Sequence, residues 1–174
     1  MPDARQNPAR HASFIASPHN FMPGIDELYM TEALKEARKA LEKNEVPVGA
    51  VVVHRGRIIA RAHNQIKMLK DPTAHAEMIA ITQAAAYLEN ERLLDTTLYA
   101  TIEPCPMCAG AMVLGRVKRL VYGADDPKAG AAGSVVQLTD NPKLNHRITV
   151  GKGVLQEECA GILREFFKKK RHNH

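Results

Sequence analysis

Val46-Pro-Val-Gly-Ala-Val-Val-Val-His54, then Arg55-Gly56, then Arg57-Ile-Ile-Ala-Arg-Ala62, is the stretch that decides the fold class. Branched side chains are stiff at χ1 and pack well on a pleated surface, so residues 47–54 read as a strand. Arg55-Gly56 reads as a tight turn, and Ile58 to Ala62 as the returning strand of a hairpin. The apolar runs are nearly continuous rather than alternating, which predicts a sheet covered on both faces.

Working towards the N-terminus, residues 25–44 carry a helical pattern, with Leu34, Ala37 and Leu41 on one face and charges on the other. Residues 1–24 show no periodicity and contain Pro2, Pro8, Pro18 and Pro23, so they read as a flexible leader. Sparse arginine and the presence of Asp3 give little support to a transit peptide, and Met22 and Met30 are alternative starts. Towards the C-terminus, residues 65–73 read as a loop ending in Asp71-Pro72-Thr73, with Thr73 as N-cap of a helix over 74–89. A strand over 97–101, a helix over 105–114 opened by Pro104 and stopped near Gly115, and a strand over 119–122 follow. The Gly/Ala-rich residues 123–134 form a loop. Residues 148–154 read as a short strand weakened by Gly151 and Gly153. A last helix over 156–170 buries Cys159, Ile162, Leu163, Phe166 and Phe167. The order α-β-β-α-β-α-β-α predicts a three-layer α/β/α sandwich around a mixed central sheet. Residues 25–171 form one domain, and 172–174 are a tail.

The 174 residues suit one domain that buries its own core. No apolar run approaches the roughly 20 residues that span a membrane, which excludes a membrane-spanning class. The formal charge is +5, and the segment 164–174 alone supplies +4 through Arg164, Lys168, Lys169, Lys170 and Arg171 against Glu165. A basic end on a near-neutral body suits a polyanion such as RNA, or simply a solvated tail. Three cysteines, with Cys105 and Cys108 three apart, fit a metal site in a reducing compartment rather than a disulfide framework. A cytoplasmic location follows from this and from the absence of a secretory signal.

Two helix starts carry potential metal ligands: His75-Ala76-Glu77 and Pro104-Cys105-Pro106-Met107-Cys108. One imidazole and two thiolates form a soft donor set suited to one Zn²⁺ per subunit. The positive end of the helix dipole and the free N–H groups there favour thiolate. Three ligands leave one coordination position for water, the pattern of catalytic rather than structural zinc. Glu77, two residues past His75, reaches beside the metal and serves as proton carrier. Either segment alone is weak evidence; together they are the signature of zinc-dependent nucleobase deaminases. Met107, Met112 and Cys159 read as core, and His54, His63 and His146 lack ligand spacing.

From Leu28 to Arg171 the sequence resembles the bacterial tRNA-specific adenosine deaminases. The resemblance is carried by Val46-Pro-Val-Gly-Ala-Val51, Asp71-Pro-Thr-Ala-His-Ala-Glu77, Thr101-Ile-Glu-Pro-Cys-Pro-Met-Cys-Ala-Gly-Ala-Met112, Gly123-Ala-Asp-Asp-Pro-Lys-Ala-Gly-Ala-Ala-Gly-Ser134, Asn145-His-Arg147, and Phe166-Phe167 leading into the basic end. It implies a cytidine-deaminase-like fold, a homodimer, and conversion of the wobble adenosine (position 34) of an arginine tRNA anticodon to inosine. It further implies that Asn64 and the Ala76 N–H hold the flipped purine. Asp126, Lys128, Asn145 and His146 would approach the anticodon loop. Phe167 would pack on a flanking nucleotide, with Lys170 and Arg171 near phosphates. By its residues alone, Phe167 reads rather as core. The sequence departs from the family at Gln65-Ile66 and in the apolar run to Lys70, which bears on RNA contacts of that loop. The alternative is a free-base guanine deaminase with the same zinc chemistry, which needs neither the basic end nor Asn145-His146-Arg147. A zinc module that only binds RNA would instead call for a fourth protein ligand, with Cys159 the spare thiol.

Overall fold

The strand β1 (Gly49–His54) lies inside the sheet and is covered on both faces. Ala50 and Val52 enter one apolar cluster, Val51 and Val53 the other, as the period of two requires. It pairs antiparallel with β2 (Arg57–His63) through the Arg55-Gly56 turn, and antiparallel with β3 (Thr96–Ile102) on its other side. The computed structural model describes residues 24–172 of the chain. The expected leader therefore lies, apart from Gly24, outside the described residues, as do the last two tail residues.

Two parallel strands complete the sheet, β4 (Arg119–Ala124) and β5 (Thr149–Lys152), giving the order β2-β1-β3-β4-β5. The helices are α1 (Ile25–Glu42), α2 (Ile66–Leu69), α3 (Ala76–Leu88), α4 (Pro106–Leu114) and α5 (Gln156–His172). α1 and α5 pack with each other on one face of the sheet, and α3 and α4 on the other. The result is the expected α/β/α sandwich around a mixed sheet. α1 sets Met30, Ala33, Leu34, Ala37 and Ala40 against the sheet at helical spacing. Gly49 allows the close approach, since a Cβ there would fall 2.0 Å from the Ala33 carbonyl oxygen. At the other end of α1, the buried Asp26 carboxylate accepts two hydrogen bonds from the Arg119 guanidinium (2.8 and 2.7 Å) and one from the Tyr99 hydroxyl (2.8 Å). Among the described residues no helix is long and apolar enough to cross a membrane.

Several expectations need correction. Residues 66–69 are not loop but the short helix α2, held by the Met68 N–H donating to buried Glu45 (2.8 Å) and Lys67 Nζ donating to the Asn44 carbonyl (2.5 Å). Thr73 does not cap α3: its N–H and hydroxyl donate to Asp71 Oδ1, and His75 occupies the N-cap position. β2 is an edge strand with Arg57 and Arg61 exposed, yet Ala60 and Ala62 join one apolar cluster and Ile58 packs on the other, so both its faces are partly covered. On α5, Cys159 and Phe166 are buried and Ile162 and Leu163 only partly so, whereas Phe167 is 46% exposed. Phe166 and Phe167 are adjacent, and a helix turns about 100° per residue, so a narrow apolar stripe cannot bury both.

Candidate active site

The helices α3 and α4 pack against each other and bring their N-termini together at the carboxyl ends of the parallel strands, where open α/β sheets place ligands. His75 is the N-cap of α3 and Cys105 the N-cap of α4, with Pro106 at the first helical position, where its missing N–H costs nothing. Cys108 follows one turn later and is fully buried. His75 Nδ1 lies 3.7 Å from Cys105 Sγ and 3.6 Å from Cys108 Sγ. Their donor atoms all fall within 4.8 Å of one another, and this is the single such group of three among the described residues. Tetrahedral coordination at ordinary Zn–N and Zn–S lengths would set N and S about 3.6 Å apart, so the donor set fits zinc. Cys159, the spare thiol, is no fourth donor: it belongs to the apolar cluster on the opposite face of the sheet.

The three groups perturb one another strongly. A hydrogen bond from Cys108, helped by His75, pulls the Cys105 thiol down to about 4. The same bond to Cys105 together with burial pushes Cys108 far above the ordinary thiol range. Cys105 beside His75 raises the imidazole. Glu77, in the first turn of α3, is buried and its carboxyl is pushed up to about 7 by desolvation. Its Oε2 is the one buried side-chain oxygen or nitrogen without a hydrogen-bond partner among the described residues. An unpaired buried acceptor is costly, which marks it as a group kept for a ligand.

Two of the trio, His75 and Cys105, line an open groove of about 1170 Å³, while Cys108 is buried behind them. His75, Glu77 and Cys105 line its inner end with Asn64. One wall comes from the segment after β4, including Asp126 and Lys128, and the other from α5, including Phe167, Lys170 and Arg171. The exposed face of Phe167 thus turns to the groove, while Phe166 is the core residue. Asn64 and Ala76 are not independent contacts, because the Ala76 N–H donates to Asn64 Oδ1 at 2.8 Å. The amide N–H of Ala76 is spent on fixing Asn64, which leaves Asn64 Nδ2 as the polar group for a ligand. Asp126 Oδ1 similarly accepts from the backbone N–H groups of Lys128 and Ala129, so it shapes its own loop. Asn145 and His146 are not brought to the groove: Asn145 Oδ1 accepts from Arg116 (2.9 Å), and His146 Nε2 donates to the Val117 carbonyl (2.7 Å). Glu103, which the sequence did not single out, lines the groove as a buried carboxylate. A lone glutamate before Pro-Cys has no spacing to betray it.

Comparison with known proteins agrees with this geometry. A family model described as MafB19-like deaminase matches residues 26–171. The tRNA-specific adenosine deaminase of Bacillus subtilis (strain 168) is 54% identical over 146 residues, covering 84% of this chain and 91% of that one. A solved structure from studies of A-to-I editing by tRNA:A34 deaminases at the wobble position superposes with a TM-score of 0.76 at 48% identity, covering 78% of this chain and 99% of that one. The guanine deaminase from Nitrosomonas europaea is more distant, with a TM-score of 0.67 at 28% identity, covering 80% of this chain and 83% of that one.

Proposed function

The chain belongs to the tRNA-specific adenosine deaminases, and from that premise we propose that it converts adenosine 34 of an arginine tRNA anticodon to inosine by hydrolysis. The observation that carries the proposal is a groove with aromatic and basic residues in its lining that reaches His75, Cys105 and a buried Glu77 with an unpartnered Oε2, with Cys108 beside the first two. A free-base enzyme has no use for such walls, and the guanine deaminase is the more distant relative.

His75 Nδ1, Cys105 Sγ and Cys108 Sγ would hold one zinc ion. When bound there, zinc supplies Lewis-acid activation of water near neutral pH. Glu77 takes a proton from the attacking water at Oε2. It passes that proton to the purine ring nitrogen, then takes the proton of the new C6 hydroxyl and hands it to the departing amine. Water adds at C6, ammonia leaves, and adenosine becomes inosine. Asn64, fixed by the Ala76 N–H, orients the extruded base. Phe167 stacks on a neighbouring nucleotide, with Lys128, Lys170 and Arg171 beside the phosphates. A single-stranded loop makes extrusion inexpensive, because the target base starts unpaired.

Residues 25–171 act as one deaminase domain, in the cytoplasm where tRNA is processed. The working form is a homodimer. Its support is that Asn145 and His146 lie away from their own groove, next to the exposed apolar Leu144. The test is incubation of an arginine anticodon stem-loop with the zinc-loaded protein, followed by sequencing, where inosine reads as guanosine. Conversion confined to position 34 is expected. Conversion of free guanine with the stem-loop untouched would overturn the proposal.

A further inference from the structure

Glu103 takes no part in the chemistry above, yet its carboxylate, 1% exposed, gathers four donors. Oε2 accepts from the Asp126 N–H (2.9 Å) and the Ser134 hydroxyl (2.5 Å). Oε1 accepts from the Ala132 N–H (3.0 Å) and the Ser134 N–H (3.1 Å). Gly130 presses against the same group, since a Cβ there would fall 2.3 Å from the carboxyl carbon. Backbone bonds reinforce the closure: the Glu103 N–H donates to the Ala124 carbonyl and the Ala131 N–H to the Pro104 carbonyl, both at 2.8 Å. Residues 126–134 are therefore wrapped around one side chain. The near limb of that loop is a wall of the groove, and Glu103 lies two residues before Cys105.

We infer that Glu103 is a positioning residue: its carboxylate locks the 126–134 loop to the segment leading into Cys105, holding the RNA-facing wall at a fixed distance from the metal-holding helix. The inference rests on the deaminase reading for its effect on substrate, but the lock itself does not. An ionised carboxylate is an acceptor only and can satisfy all four donors at once. An amide cannot. With Gln at 103, Oε1 can still serve the Ala132 and Ser134 N–H groups, and the Ser134 hydroxyl can turn to accept from the amide. The Asp126 N–H then faces another donor. The near limb, with Lys128, is the part set free, while the metal ligands and Glu77 are untouched.

The test compares Glu103→Gln and Ser134→Ala with the wild type, each zinc-loaded and of full length, in steady-state kinetics on the anticodon stem-loop. Losing hydrogen bonds to a buried charged acceptor should raise KM about tenfold in Glu103→Gln and about threefold in Ser134→Ala, with kcat within about twofold. Zinc content should stay at that of the wild type. General destabilisation would instead lower the active fraction, so a fall in kcat at unchanged KM overturns the inference. So does an unchanged KM in Ser134→Ala, which stays decisive where Glu103→Gln does not fold. Amide hydrogen exchange reads the lock without turnover. Protection at Asp126 should be lost in Glu103→Gln and kept at Ala132, and equal protection in both proteins would overturn it. Failure of the wild type to edit the stem-loop would strike the deaminase reading alone, because exchange at Asp126 still decides the lock.

Discussion

Burial moves the Glu77 carboxyl up to about 7 without any change in the residue itself, and this shift is measurable apart from catalysis. Between the ordinary carboxyl range and pH 7 the folded, metal-free chain keeps a proton that the unfolded chain has lost. Stability then falls as pH rises through that window. Compared with Glu77→Gln, which does not titrate, metal-free wild type should lose stability from about pH 4.5 to pH 7 in denaturant titrations. Parallel curves for the two proteins would contradict the assigned environment. The site residues themselves were legible in the sequence because each segment is local: one residue separates His75 from Glu77 and two separate the thiols. Glu103 was not, because its partners come 23 to 31 residues later in the chain. Nor could sequence reveal that Asn64 and the Ala76 N–H would bond to each other across 12 residues.

Among the elements, α5 does two jobs with adjacent aromatic residues. Phe166 is 3% exposed and packed edge-on against Phe167, which is 46% exposed at the groove. Phe166→Ala should destabilise the protein by about 3–5 kcal/mol. Phe167→Ala should leave the melting temperature almost unchanged and weaken stem-loop binding by roughly 1–3 kcal/mol. Thermal melts and binding isotherms on the two variants check this, and the reverse pattern would refute the division. The 3.6-residue pattern of α5 was legible, but the pattern alone does not say which of two neighbouring aromatics turns outward. The hairpin was legible because branched residues and Arg-Gly mark it locally. The helix α2 was not, since four residues carry no periodicity and its stability comes from Glu45 and Asn44, outside the segment.

At the scale of the whole molecule, one buried ion pair ties the first helix to the sheet: Asp26 holds Arg119 and Tyr99 from 93 and 73 residues away. Asp26→Asn removes the charge that the Arg119 guanidinium bonds on two nitrogens and should cost about 3–5 kcal/mol in equilibrium unfolding. A loss under 1 kcal/mol would show the pair to be dispensable. The sandwich itself was readable from the order of elements, whereas this pair was not, because neither Asp26 nor Arg119 stands in a motif. The fold gathers ligands from two helix N-termini and walls from a loop and the last helix, and the central claim is that Glu77 moves the protons at that junction. Its most direct test is single-turnover deamination of the stem-loop by Glu77→Gln, with zinc and RNA affinity measured on the same sample. Inosine formation should fall by at least about a hundredfold, with zinc and affinity at wild-type levels. Turnover within a few fold of wild type, with zinc in place, would contradict the account.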